Sequence, residues 1–195
     1  GESTEEVRPP TADEVAEFTR MLLLKDAEVA LRYIDTFLEQ DIPLDTVLLE
    51  MLTPAAQLLG ELWMEDRCSF SEVTVGLSHL LVILRRISPV APNFSHNDRD
   101  VLLVPTPGEQ HTFGLELVAD FLRRAGWPVV TRLGVSNDAI FELIQRKRFH
   151  MLGITVSNEE LLEPTRKLIC SAREVSLNPE MLVLVGGSPA LGLEE

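Results

Sequence analysis

Three groups of residues in the second half of the chain have types and spacings suited to holding a ligand: Glu109-Gln-His111-Thr-Phe-Gly114, Thr155-Val-Ser157 and Gly186-Gly187. Imidazole is a common metal ligand. A carboxylate two residues away can fix its tautomer by accepting a hydrogen bond from the other ring nitrogen. A helix beginning just after His111 would disfavour the imidazolium, because a helix N-terminus carries partial positive charge. The same residues also suit a loop histidine that caps or hydrogen-bonds locally. A hydroxyl residue at one strand end and a glycine pair at another open a slot for a flat or elongated ligand, although a glycine pair after a strand is also an ordinary turn.

The elements that must position these groups follow from periodicity. An apolar run, Val101-Leu-Leu-Val104, enters Pro105-Thr-Pro-Gly108, and an amphipathic pattern from Thr112 to Ala125, closed by Gly126, leaves it. The histidine therefore sits in a strand-to-helix turn, where open α/β sheets bind their ligands. Further strands are expected over 128–133, 149–156 and 181–185. Helices are expected over 138–147 and from Ser157 or Asn158 to Val175. Apolar strands alternating with helices predict a parallel sheet covered on both faces. The loops after the first, third and fourth strands then gather at one end. A fifth strand, if the domain has one, would lie beyond the sequence, which would leave the domain truncated at its C-terminus.

The first half reads as helices. Thr11 and Glu14 have capping-box spacing before a stripe of Val15, Phe18 and Leu22. Asp26 is placed to cap a second helix, and Asp41-Ile-Pro43 to punctuate. A long third helix runs from Leu44 to about Met64, with Pro54 expected to kink or divide it. Ser69 or Ser71 caps a fourth, ending at Ile87. Four amphipathic helices with short connections suggest an antiparallel bundle. The resulting division is a helical bundle cap over 11–87, a linker over 88–99 and a Rossmann-like α/β domain over 100–193.

The chain of 195 residues is 45% hydrophobic and 25% charged, with a formal net charge of −14. That field repels phosphates, so direct nucleic-acid binding is not expected, and it favours partners with basic surfaces. No secretory signal or membrane span is read, and Cys68 and Cys170 form no disulfide or metal pattern, so a reduced, cytoplasmic setting is expected. No nucleophile–base arrangement, phosphate loop or acid/base carboxylate pair makes an independent case for catalysis. His79 reads as a core or boundary histidine, and His96 and His150 as solvated. Arg123-Arg124 and Arg146-Lys147-Arg148 read as solvated helix faces.

Taken in order, the three groups resemble the cobalamin-binding domain of methionine synthase, corrinoid proteins and mutases. That pattern is Asp-x-His-x-x-Gly, then Ser-x-Leu, then Gly-Gly. Leu59-Gly60-Glu-Leu-Trp63 likewise matches the Leu-Gly-x-x-Trp of the four-helix cap that such domains often carry. The resemblance implies a bundle cap followed by a Rossmann-like (flavodoxin-like) parallel sheet. It makes His111 the axial ligand to heme iron or cobalt, both of which accept neutral imidazole, with Glu109 orienting it and Gly114 letting the helix approach the ligand. It places Thr155, Ser157, Gly186 and Gly187 along a slot for a nucleotide tail. Trp63 would stack over the tetrapyrrole, beside Val73 and Thr74.

The chain departs from that pattern. Glu109 replaces the aspartate, Thr155 the serine and Ser157 the leucine, and Val73-Thr74 stands where light-sensing and methyl-carrying relatives have Glu-His. With Pro107-Gly-Glu-Gln-His-Thr-Phe-Gly114, this resembles a narrower group, the sensor domains described as containing heme instead of cobalamin (SCHIC). They occur in AppA, the nearer in residues, and in the PpaA/AerR antirepressors of photosynthetic purple bacteria. The likeness implies a non-enzymatic sensory domain with heme as cofactor; cobalamin, or no cofactor in the isolated domain, is the alternative. It implies a PpsR-type transcriptional repressor as partner, released from photosynthesis genes in response to oxygen, redox state or light. It also implies, in the AppA arrangement, an N-terminal flavin-binding blue-light domain. A corrinoid carrier subunit of a methyltransferase and a ligand-free interaction module on the same scaffold are the other readings.

Overall fold

The computed structural model describes residues 8–88 and 99–187. The chain divides into two compact units, Gly1–Pro89 and Val90–Glu195. Most of the stretch read as a linker, with His96, lies outside the described residues.

The first unit is helical: α1 (Ala12–Leu22), α2 (Ala27–Leu38), α3 (Leu44–Val47), α4 (Thr53–Met64) and α5 (Phe70–Ile87). Its starts are set by side chains that satisfy the first, otherwise orphaned, backbone N–H groups. The Thr11 hydroxyl accepts from Glu14 N–H while the Glu14 carboxylate accepts from Thr11 N–H, and Ser69 and Glu72 repeat the exchange at α5. Phe18, Leu22, Ile34, Leu48, Met51, Leu59, Leu80 and Ile83 are fully buried between the helices, each contributing about 1.5–3 kcal/mol of transfer free energy.

The expected third helix is helical from 44 to 64 but not uniform. A π-helical turn, Leu48–Leu52, joins α3 to α4 just before Pro54. Proline offers no N–H to the carbonyl four residues back, and its ring crowds that carbonyl. Widening the turn by one residue lets both the N–H and the hydroxyl of Thr53 donate to the Leu48 carbonyl, the hydroxyl at 2.9 Å. His79, on α5, is half-buried as expected, and its Nδ1 donates to the Leu22 carbonyl at the end of α1, 2.9 Å away.

The second unit is a four-stranded, wholly parallel sheet in the order β2-β1-β3-β4. In chain order it runs β1 (Val101–Pro105), α6 (Phe113–Arg124), β2 (Val129–Thr131), α7 (Asn137–Arg146), β3 (Met151–Thr155), α8 (Leu162–Val175) and β4 (Leu182–Gly186). A short 3-10 turn, Glu159–Leu161, capped by Asn158, leads into α8. Alternation along the strands makes two cores. Leu102, Val104, Leu152 and Ile154 pack with Ile140 and Ile144 of α7 and Leu168 and Ala172 of α8. Val101, Leu103 and Met151 pack with Leu115 and Ala119 of α6 on the opposite face.

Three sequence expectations need correction. β2 spans only 129–131 rather than 128–133, because Gly134 turns the chain at φ +63° and this strand pairs on one side only. β4 is not covered on both faces by the described residues. Its register sets Leu182 and Leu184 opposite Met151 and Gly153 on the α6 face, where they are 54% and 58% exposed. His150, read as solvated, is half-buried and packs edge-on against Trp127, whereas Arg146, Lys147 and Arg148 are exposed as expected, Lys147 pairing with Asp100 at 2.6 Å and Arg148 donating to Asn178.

Candidate functional site

The site lies at the carboxyl ends of β1 and β3, where chain order reverses direction across the sheet. In an open parallel sheet that switch point is where two loops diverge and leave a crevice. Thr106 N–H donates to the Thr155 carbonyl at 3.0 Å, fixing the loop after β1 to the end of β3. The Thr106 side chain is fully buried, 2.7 Å from the Thr165 hydroxyl of α8. Thr165 already donates to the Leu161 carbonyl at 2.6 Å, so Thr106 is the donor of the pair. Gly108, at φ +96°, then turns the loop so that Glu109 N–H returns to the Thr106 carbonyl at 2.8 Å. An L side chain there would be strained, and the turn folds the Glu109 carboxylate inward.

The Glu109 side chain is only 1% exposed. One carboxylate oxygen accepts from the His111 backbone N–H at 2.7 Å and from His111 Nδ1 at 2.8 Å. The other accepts from the Ser157 backbone N–H. The Ser157 hydroxyl also lies 2.8 Å from His111 Nδ1. Burial pushes the Glu109 pKa up. Hydrogen bonds from the Ser157 hydroxyl, from both N–H groups of His111 and from the Ser157 backbone outweigh it, so the carboxylate is held below its ordinary range. A buried carboxylate needs donors, so the Nδ1 proton points at Glu109, and in that tautomer of the neutral ring the lone pair is on Nε2. The His111 side chain is 62% exposed, and among the described residues Nε2 has no hydrogen-bond partner. The arrangement is an imidazole clamped by one nitrogen and offered outward by the other.

Beside it, between α6 and the β3–β4 half of the sheet, is a cavity of about 410 Å³. Gly114 and Val118 of α6, Thr155 of β3, and Leu184, Gly186 and Gly187 at β4 are among its walls. A Cβ on Gly114 or Gly186 would meet nothing within 4 Å, so these glycines widen the opening. Gly187 does a different job. At φ +120° it presses against the Val156 carbonyl so closely that a Cβ would overlap that oxygen, while Val156 N–H donates to the Gly186 carbonyl at 2.9 Å.

The structure thus brings Glu109, His111 and Ser157 into one hydrogen-bonded group and sets Gly114, Thr155, Gly186 and Gly187 along the adjacent cavity. Ser157, read from sequence as a slot residue, is not among the cavity walls, because its hydroxyl is turned to His111. Trp63, Val73 and Thr74 belong to the first unit. Trp63 is 44% exposed and stacks edge-on with Phe70, Val73 is buried in the bundle, and Thr74 donates to the Phe70 carbonyl. Sequence reasoning missed Thr106 and Thr165, whose buried hydroxyl pair supports the loop. It also passed over Val118, an apolar residue off the buried stripe of α6, which was a readable sign of an apolar wall.

Among the described residues no group of three His, Cys, Asp or Glu side chains could cage a metal ion. Nor is any described helix long and apolar enough to cross a membrane.

The parallel sheet, with a histidine at its switch point and an apolar cavity beside it, is a Rossmann-like fold, and residues 99–195 match the family model for the B12 binding domain. The chain belongs to the B12-binding-domain family. It is 30% identical over 157 residues to an uncharacterized 20.5 kDa protein in the bchF-crtJ intergenic region of Rhodobacter capsulatus, covering 79% of this chain and 81% of that protein. In fold it is similar to the monomethylamine corrinoid protein of Methanosarcina barkeri. The TM-score is 0.75 at 13% identity, with 92% of this chain and 86% of that one covered.

Proposed function

We propose that this chain is a non-catalytic regulatory module that binds a cobalamin through Nε2 of His111 and contacts a transcriptional repressor. The observation that carries the reading is the clamp on His111. A buried carboxylate and a serine hydroxyl occupy Nδ1, and the ring stands 62% exposed next to an open apolar cavity. Heme and cobalamin make the same demand on the histidine. They differ over the cavity, which a cobalamin's nucleotide tail would fill and for which heme has no use. The open cavity therefore favours cobalamin over the heme expected from the narrower resemblance.

Bound cobalamin, held by His111, would supply a cobalt centre that responds to light and to redox state. The protein's part is positional. Glu109 and Ser157 hold the imidazole aimed, with Nδ1 occupied, the glycines at 114 and 186 leave room for the tail, and Gly187 lets the end of β4 close on the Val156 carbonyl. A repressor of the PpsR type as partner is supported by the likeness to the antirepressors and by the relative encoded between bchF and crtJ. The net charge of −14 suits a basic partner surface.

Absorbance titration of the purified chain with hydroxocobalamin and, separately, with heme tests the ligand. The expected result is a saturable spectral change with hydroxocobalamin that disappears in His111→Ala. A saturable Soret shift with heme and none with cobalamin would transfer the reading to a heme sensor. No saturable change with either would leave a ligand-free interaction module.

A further inference from the structure

We infer that the cavity beside α6 selects among corrinoids by the base of the nucleotide tail, preferring a benzimidazole to a purine. This rests on the cobalamin reading above. Ligand cavities commonly run from roughly 300 to 1,000 Å³, and the 410 Å³ here does not separate two bicyclic bases that differ little in size. Chemistry must separate them. The walls include Leu103 of β1, Leu115 and Val118 of α6, Met151 of β3 and Leu184 of β4. Thr155 is the one lining residue with a polar side chain among the described residues, and its hydroxyl makes no hydrogen bond to any of them. The β3 backbone offers nothing more, because Gly153 and Thr155 pair with Leu103 and Pro105 on one side and with Leu184 and Gly186 on the other.

Adenine brings an exocyclic amine with two N–H donors and several ring nitrogens that accept, all of them hydrogen-bonded in water. One threonine hydroxyl satisfies one of them, and the leucine, valine and methionine side chains of the walls offer the others no partner. Dimethylbenzimidazole presents C–H and methyl edges instead, which such walls accept at no polar cost.

The test is the dissociation constant of the intact chain for three corrinoids: cobalamin, its analogue with adenine as tail base, and cobinamide, which has no tail. Cobalamin should bind about tenfold or more tightly than either of the others. Val118→Asn places an amide on the cavity wall at an exposed helix position and should bring the preference over the adenine analogue below about threefold. Equal affinities for cobalamin and the adenine analogue, equal affinities for cobalamin and cobinamide, or a preference unchanged in Val118→Asn would each overturn the inference while leaving the cobalamin reading standing. Failure of all three corrinoids to bind would overturn both.

Discussion

Replacing Glu109 by glutamine probes the clamp without changing its size. The carboxylate accepts from the His111 N–H and Nδ1, from the Ser157 N–H and from the Ser157 hydroxyl, with its side chain 1% exposed. Glutamine keeps one accepting oxygen and presents an NH₂ where the other stood, so two donors lose their acceptor and face another donor. Hydrogen bonds to charged groups are worth about 1.5–3 kcal/mol net. Two of them make about 3–6 kcal/mol, against which the variant no longer buries a charge, so a net loss of about 2 kcal/mol is expected. That is roughly a thirtyfold loss of amide protection for the most protected β1 and β3 amides, such as Leu103 and Ile154, in hydrogen exchange at pH 7. The dependence on pH has a fixed sign. The folded Glu109 pKa lies below its ordinary value of 4.5, so its stabilisation is fully present above that value and is lost as pH falls through the folded pKa. The gap between wild type and variant should therefore be constant near neutrality and close in acid. A loss under about 0.5 kcal/mol at pH 7, as for an ordinary surface substitution, would refute the hydrogen-bond account of this loop.

Three further outcomes follow from local geometry. Gly187→Ala should destabilise the second unit by more than about 2 kcal/mol, seen in thermal unfolding, because φ is +120° and the new Cβ would overlap the Val156 carbonyl. Ser69→Ala removes the Glu72 N–H acceptor at the start of α5 and should cost the bundle about 1 kcal/mol in urea denaturation. His79→Leu keeps the apolar contacts but removes the donor to the Leu22 carbonyl, and should cost about 1 kcal/mol by the same measurement.

Much of the fold was legible because its signals are local. Thr11 with Glu14 and Ser69 with Glu72 mark helix starts through side chains only three residues apart, and Gly126, at φ +83°, ends α6 as its position suggested. Apolar runs of strand length between helical patterns were enough for a parallel sheet. The order β2-β1-β3-β4 could not be read that way, since pairing is set across many tens of residues and leaves no periodic trace. Pro54 announced a disturbance in the third helix but not its form, because kink, break and π turn answer the same missing N–H. At the site, the motif spacing pointed to Glu109 and His111 together, and the chain's own turn at Gly108 does bring their side chains within 2.8 Å. Ser157 was misread because two residues of strand end separate a cavity-facing position from a loop-facing one. Thr155 takes the first and Ser157 the second, a distinction that depends on where β3 stops.

The central claim is that a protein nitrogen, Nε2 of His111, takes an axial position on a bound corrinoid. Electron paramagnetic resonance of the cobalt(II) form on uniformly ¹⁵N-labelled protein tests it directly, because cobalamin's own base carries ¹⁴N. Histidine ligation predicts two-line superhyperfine splitting from ¹⁵N that is absent in His111→Ala. A three-line ¹⁴N pattern from the cobalamin's own base, unchanged by that substitution, would contradict the claim.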